Sequence, residues 1–436
     1  MTRSTSKSAA AFERARRVLV GGVNSPVRAF KAVGGTPPFI AQAVGSRITD
    51  IDGNKYVDYV CGYGPAILGH AHPAVVEAVR RAAERGFCYG GPTEAETELA
   101  ELIVQAYPSI EQIRFVSSGT EADMSAIRLA RGATGRSKIA KCIGGYHGHA
   151  DALLVSAGSA ATTLGIPSSP GVPRGVTDDT LLLPYNDLAA AEQLFIEHGA
   201  KLAAILVEPV AGNMGVVPPA AGYLSGLREL CDRYGVLLVF DEIITGFRLA
   251  LGGAQQVFGV RPDLTTLGKI IGGGLPVGAY GGPASLMRRL APEGPVYQAG
   301  TLSGNPIAMA AGIATVRTLR GNPRAYAQLE QRSAELEQGL LAAATDAGLA
   351  GRMTINRAGS MMTAFFAPPP VRDYASATAA DTKAYAAYFQ VMLQRGVYLA
   401  PAQFEAMFVS LAHTSEDVAR TVAAAREALM RCGASQ

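Results

Sequence analysis

The chain lacks the features that would tie it to a membrane, an oxidising compartment or a nucleic acid. No stretch approaches the ~20 consecutive apolar residues that a membrane-spanning helix needs. Its five cysteines, Cys61, Cys88, Cys142, Cys231 and Cys432, are widely spaced and form no CxxC pair. An odd, scattered set of this kind reads as reduced thiols of a cytoplasmic protein, each a small buried apolar residue rather than a nucleophile. Charge is sparse: 17% of residues are charged, the formal net charge is +3, and no run of lysine or arginine occurs. A nucleic-acid surface is therefore not expected. There is no internal repeat, and the 50 glycines and 25 prolines lie between periodic segments rather than in low-complexity tracts. What is abundant is apolar material, 48% of 436 residues, enough for two buried cores. The N-terminus, MTRSTSKSAAAFERARR, is basic and serine-rich and faintly resembles a transit peptide. A motif beginning at Gly21 leaves little room for one, and a helix entering the fold from Ser8 is the expected structure.

Periodicity then divides the chain. Arg47 to Tyr59 (RITDIDGNKYVDY) reads as a hairpin turning at Asp52-Gly53. Ala74–Arg85 and Glu94–Tyr107 read as amphipathic helices. Short apolar runs follow at Ile113–Val116, Lys138–Cys142, Ala203–Val207 and Val236–Phe240, separated by helical patterns at Glu121–Arg131, Leu188–His198 and Tyr223–Tyr234. Buried strands alternating with helices imply an α/β fold with a mostly parallel central sheet flanked by helices. Toward the end, a long helix at Arg324–Ala347 precedes strand-like pieces at Ser360–Phe366, Gly396–Leu399 and Met407–Leu411 and a final helix at Ser415–Arg431. The expected organisation is an N-terminal segment (1–65) joining a smaller α+β domain formed with residues 321–436, beside a large domain at 66–320.

Three segments carry chemistry. Strand Val236–Phe240 runs into Asp241-Glu242, at the end of a strand where ligands bind in open α/β sheets. Alone, Asp241 would be read as capping the next turn. Thr265–Gly274 (TTLGKIIGGG) embeds Lys269 in apolar residues, where a buried reactive amine competes with an ordinary surface lysine. Ser117-Ser118-Gly119-Thr120 follows a strand and opens a helix, a place suited to a phosphate or to a simple N-cap. Each bland reading is at least as good as the functional one when taken singly. Together the segments supply a phosphate cradle, an acid for a pyridinium nitrogen and a lysine for an aldehyde, which are the binding needs of pyridoxal phosphate.

The ordered series SSGTEA, GYHG (Gly145–Gly148), VEPV (Val207–Val210), DEI (Asp241–Ile243) and TLGK (Thr266–Lys269) resembles the class III aminotransferases of fold type I, from about Gly21 to about Thr414. That resemblance implies the following roles. Ser118, Gly119 and Thr120 hold the phosphate and Tyr146 stacks on the ring. Asp241 pairs with the ring nitrogen, Ile243 packs on the opposite face, and Lys269 is the Schiff-base lysine. Thr301, in QAGTLSGNP, reaches the phosphate of the neighbouring subunit, so a homodimer is implied.

A narrower resemblance rests on other residues. Gly21–Phe30 (GGVNSPVRAF) is similar to the N-terminal motif of the aminomutases that act on glutamate 1-semialdehyde. It implies that Ser25 and Arg28 contact the substrate's carboxylate, which a guanidinium fork fits in two-point fashion. Gly158–Arg174 corresponds to a gating loop containing Ser159, and Leu399–Phe408 (LAPAQFEAMF) places Glu405 where that family has a glutamate. Relatives that accept 2-oxoglutarate carry an arginine in this region. Ala402-Gln403 departs from the family's usual serine after the proline. The implied activity is intramolecular amino transfer from glutamate 1-semialdehyde to 5-aminolevulinate through enzyme-bound 4,5-diaminovalerate, in tetrapyrrole biosynthesis, with pyridoxal and pyridoxamine phosphate interconverting. The competing reading is an ω- or β-amino-acid aminotransferase that needs an external keto acid. A transient contact with the enzyme supplying the unstable aldehyde suits this chemistry but has no motif. The HxH pairs, His70/His72 and His147/His149, lack the further ligands of a metal site, and no metal is expected.

Overall fold

The structure is a computed structural model and describes residues 3–155 and 169–434. Helix α1 (Ser6–Arg16) leads into strands β1 (Ile40–Val44), β2 (Arg47–Asp50) and β3 (Lys55–Asp58), which pair antiparallel. The β2–β3 hairpin is closed by Asp50, whose carboxylate accepts from the Asn54 backbone N–H at 2.8 Å and the Tyr56 hydroxyl at 2.9 Å. Helices α2 (Pro73–Ala83) and α3 (Glu94–Ala106) follow, α3 opening on a capping box between Thr93 and Glu96.

A seven-stranded sheet comes next. It comprises β4 (Gln112–Val116), β5 (Lys138–Cys142), β6 (Thr180–Leu183), β7 (Leu202–Val207), β8 (Leu237–Asp241), β9 (Leu264–Gly268) and β10 (Gly278–Gly282), in the order β4-β10-β9-β8-β7-β5-β6. Only β10 runs antiparallel to its neighbours. Every residue of β7 is buried, as expected of a strand covered by helices on both faces. Each fully buried leucine, isoleucine or valine there contributes about 1.5–3 kcal/mol. The expected strands agree with β4, β5, β7 and β8 to within one residue at each end.

Strands β6, β9 and β10 are not anticipated from the sequence. β10 is Gly-Ala-Tyr-Gly-Gly, and glycine offers no side chain from which an alternation could be read. Its glycines answer to close packing instead: a β-carbon on Gly278 would lie 2.1 Å from the Ser118 carbonyl oxygen.

The C-terminal helices Ala325–Asp346 and Ser415–Ala434 pack on one another. Strands β11 (Thr354–Ala358), β12 (Met361–Phe365) and β14 (Met407–Phe408) form an antiparallel sheet. Strand β13 (Val397–Tyr398) joins β3 instead, in parallel register. Among the described residues no helix is long and apolar enough to cross a membrane.

His413 ties these C-terminal elements to β3. Its Nδ1 accepts from the Ser410 N–H at 3.0 Å, and its Nε2–H donates to the Asp58 carbonyl at 3.1 Å. Burial pushes its pKa down to about 4, against the pull of Asp417 and Asp58. Between about pH 6.5 and 4 the unfolded chain therefore binds the proton that the folded chain refuses. Stability from this group is complete above pH 6.5 and falls by roughly 3 kcal/mol on acidification to pH 4. Denaturant unfolding of His413→Asn over that range should show a correspondingly flatter pH slope than wild type; equal slopes would contradict it.

Candidate active site

Strands β4, β5, β7, β8 and β9 all point their carboxyl ends at one cavity of about 580 Å³. This is where an open parallel sheet leaves room for a ligand, because the chain turns away from the sheet on both sides. From β4 the chain turns at Ser117-Ser118 into α4 (Gly119–Thr134). Ser118 is indeed the N-cap: its Oγ accepts from the Glu121 N–H at 3.2 Å. The cap and the phosphate role are compatible, since a hydroxyl that accepts one bond still has its proton to donate. Gly119 and Thr120 occupy the first helical positions, whose N–H groups have no acceptor within a helix. Thr120 Oγ1 lies 3.2 Å from His149 Nδ1.

From β8, Asp241 enters the cavity almost fully buried. Its Oδ2 accepts from His147 Nδ1 at 2.7 Å and its Oδ1 from the Ile243 N–H at 3.0 Å. Ile243 packs against the β4 turn, so that a β-carbon on Gly119 would come 2.9 Å from its Cδ1. Behind Asp241 sits Asp123, one turn into α4, which accepts from Thr266 Oγ1 at 2.7 Å. Burial, and then the charge of Asp241, push the Asp123 carboxyl well above the usual range. Asp123 and Asp241 thus form a close buried pair of carboxyls in which Asp123 is the one pushed toward its neutral form. From β7, Glu208 accepts from the Tyr146 N–H at 3.0 Å and the Gly212 N–H at 2.7 Å, fixing the turn that carries Tyr146. Its carboxyl too is raised, chiefly by burial and against the influence of His147.

Lys269 directly follows β9 and has a left-handed backbone, φ 47°. Such a conformation is costly for a non-glycine residue and clusters at functional sites. Burial brings its amine down to about 8, although Glu405, Asp241 and Glu208 all favour the charged form; Arg248 opposes them. Tyr146 stands half-exposed at the mouth, where burial and the charges of Asp123, Glu405 and Asp241 raise its phenol.

Ser25, Ser118, Gly119, Thr120, Tyr146, Asp241, Ile243, Lys269 and Glu405 thus line one cavity. Two expected residues stand outside that lining. Arg28 is exposed, near enough for its charge to act on Tyr63, a cavity residue whose phenol burial raises and Arg28 lowers. Thr301 is exposed, its carbonyl 3.8 Å from Cys88 Sγ. Ser159 and most of Gly158–Arg174 lie outside the described residues. Asp123, Glu208 and Tyr63 are cavity residues that sequence reasoning passed over. The available signal was the spacing of Asp123 three residues after Thr120, which puts both on one helical face. Of the HxH pairs, His70 binds Asp58 at 2.6 Å and His147 binds Asp241, so the two lead histidines serve carboxylates. One ligand atom each from Asp123, His147 and Asp241 lies within 4.8 Å of the others, a cluster accounted for by the carboxyl–carboxylate–imidazole contacts just described.

Comparison with known proteins agrees with this geometry. The aminotransferase class-III family model matches residues 30–429. The chain is 58% identical over 425 residues to a protein of Desulforamulus reducens named glutamate-1-semialdehyde 2,1-aminomutase, covering 98% of each. Among solved structures it is similar to an omega-transaminase from Sphaerobacter thermophilus, with TM-score 0.89 and 36% identity over 98% of this chain and 97% of that one. It is also similar to a glutamate-1-semialdehyde-aminomutase from Pseudomonas aeruginosa PAO1 in complex with PMP, with TM-score 0.86 and 30% identity over 97% of this chain and 94% of that one. The chain belongs to the class-III aminotransferase family.

Proposed function

We infer that this chain is a pyridoxal-phosphate isomerase that converts glutamate 1-semialdehyde, (S)-4-amino-5-oxopentanoate, to 5-aminolevulinate by moving the amino group within one substrate skeleton. The named relative at 58% identity over nearly the whole length supports this reading. The observation that carries it in the site is the charge of the lining: among the described residues that line the cavity, Lys269 is the only cation, and Glu405 faces it. An aminotransferase built for a dicarboxylate acceptor needs a second cation there. A carboxylate instead suits a substrate or intermediate that carries amines.

The residues fit the cofactor. A hydroxyl and two helix-first N–H groups can take a phosphate, the buried carboxyl of Asp241 can hold a proton on a ring nitrogen, and the lysine shares their cavity. When bound, pyridoxal phosphate supplies an aldehyde that takes up and returns the amine, and a ring that accepts electrons. The chain's residues do the rest. Lys269, neutral for a large share of the time near pH 8, moves protons at the carbons of the substrate. Asp241 holds the proton at the ring nitrogen, with His147 keeping its carboxylate in place. Ser118, Gly119 and Thr120 anchor the phosphate, Tyr146 and Ile243 close on the ring's faces, and Ser25 with Arg28 receives the substrate carboxylate. Ser159, in the gating loop, completes the substrate site. Retaining the diamine 4,5-diaminovalerate matters, because its escape would leave an aldehyde cofactor and no amine to give.

Thr301 serves a neighbouring subunit's phosphate in this reading. Its exposure, flanked by Tyr297 at 71% and Leu302 at 54% exposed, supports a homodimer. The β3–β13 pairing supports taking residues 1–65 and 321–436 as one smaller unit beside residues 66–320. A cytoplasmic location fits the five unpaired cysteines.

Purified enzyme given glutamate 1-semialdehyde and no keto acid should form 5-aminolevulinate over many turnovers. An external-acceptor aminotransferase would stop at no more than one turnover per site, and that outcome would exclude the mutase.

A further inference from the structure

Arg248 is the largest fully buried side chain of the described residues, 1% exposed. A guanidinium so placed is expected to meet a carboxylate, since an uncompensated buried charge is costly. None of the ion pairs among the described residues involves it. Its Nη1 donates to Ser360 Oγ at 2.9 Å and to the Val409 carbonyl at 3.2 Å, and its Nη2 donates to the Gly64 carbonyl at 2.6 Å. Its Nε has no acceptor there. The guanidinium carbon stands 4.9 Å from the centroid of the Phe408 ring.

One of those neighbours, Gly64, is packed against both Lys269 and another of them, Phe408. A β-carbon on Gly64 would lie 3.3 Å from Lys269 Cδ, a tight contact, and 3.6 Å from Phe408 Cε1, an ordinary one, so the turn lies directly on the lysine's stem. The turn itself is strained. Cys61, Gly62, Tyr63 and Gly64 have φ of 49°, 67°, 66° and 118°, four left-handed residues in succession, two of them not glycine. Such a run persists only where its surroundings hold it. At its entry, Asp58 accepts from the Val60 and Cys61 N–H groups at 2.8 and 3.1 Å. At its exit the hold is Arg248, through the Gly64 carbonyl.

We propose that Arg248 is a positioning residue for Lys269: braced on the Phe408 ring, it clamps the Cys61–Gly64 turn against the lysine's aliphatic chain and sets a fixed positive charge behind the amine. The groups acting on that amine are burial, which dominates, then Glu405, Asp241 and Glu208 favouring its charged form, and Arg248 opposing them. Beside burial, Arg248 is the charge that offsets those carboxylates, and no ion pair among the described residues neutralises it. The proposal rests on Lys269 being the cofactor's lysine.

The test uses holoenzyme and two readouts other than turnover: the pH midpoint of the visible absorbance of the lysine-linked cofactor, and modification of Cys61 by a thiol reagent mapped by peptide mass spectrometry. Cys61 is 2% exposed and protected in the intact turn. Arg248→Met keeps the stem but removes charge and clamp. It should raise the midpoint by about one pH unit and make Cys61 reactive. Arg248→Lys keeps the charge but cannot reach the Gly64 carbonyl and Ser360 together; it should expose Cys61 and leave the midpoint near wild type, and it stands in if the methionine variant does not fold. Wild-type midpoint and full Cys61 protection in either folded variant would overturn the proposal. Absence of any visible band in wild type loaded with pyridoxal phosphate and no amine donor would instead refute the underlying assignment of Lys269.

Discussion

Lys269→Ala should leave a folded protein that no longer moves an amino group. The alanine occupies the same left-handed position after β9, so the backbone strain is unchanged, and the desolvation that holds the amine near 8 is relieved. No loss of stability is therefore expected. Catalytically the change removes the one amine among the described residues that line the cavity. In the proposed mechanism the cofactor would lose its covalent anchor, and the substrate carbons the group that takes and returns their protons. The proton-transfer role alone is worth roughly 10²–10⁴-fold. Formation of 5-aminolevulinate measured against wild type, beside borohydride reduction and peptide mapping, separates the two losses. Wild type should be trapped at Lys269, the variant at no lysine. Activity within tenfold of wild type would refute the assignment.

Asp241→Asn should be the second most damaging change, about 10²–10³-fold in turnover, with weaker retention of the cofactor. Both oxygens of the carboxylate already accept, one from His147 and one from the Ile243 N–H. An amide can keep one of these acceptor contacts but must turn a donor toward the other. It also has no charge with which to stabilise a protonated ring nitrogen. Asp123→Asn is the control that makes this interpretable. Burial and the charge of Asp241 favour the neutral form of Asp123, which an amide imitates, so this change should cost less than tenfold. Equal damage from both substitutions would mean that bulk polarity, not the specific carboxyl of Asp241, is what the site requires.

The parts of this site that could be read in the sequence are those governed by local chemistry. The Ser118 cap, the strand running into Asp241 and the lysine in apolar surroundings each follow from a few adjacent residues, and the cavity unites them. What could not be read depends on which strands become neighbours. β10 carries almost no side-chain pattern, yet it separates β4 from β9 and so sets the distance from the phosphate turn to Lys269. Arg248 lies seven residues past Asp241 in sequence, but its partners Gly64, Ser360 and Val409 come from both ends of the chain. Glu208 sits inside a recognised motif, yet its carboxylate acts on the Tyr146 turn 62 positions away. Arg28 and Thr301 are placed by resemblance rather than by local physics, and those two stand outside the lining.

Because the cavity draws on Ser25 at one extreme and Phe408 at the other, no fragment of the chain contains a working site. Cofactor capture must then be one of the last events of folding, after the distant pairing of β3 with β13 and the closing of β10 between strands made far apart in time. Pairings at such separation are slow to form. A ligand that binds only the finished state pulls the whole equilibrium toward it as its concentration exceeds its dissociation constant. Loading with cofactor would thereby raise the apparent stability of the chain as a whole rather than of either end alone.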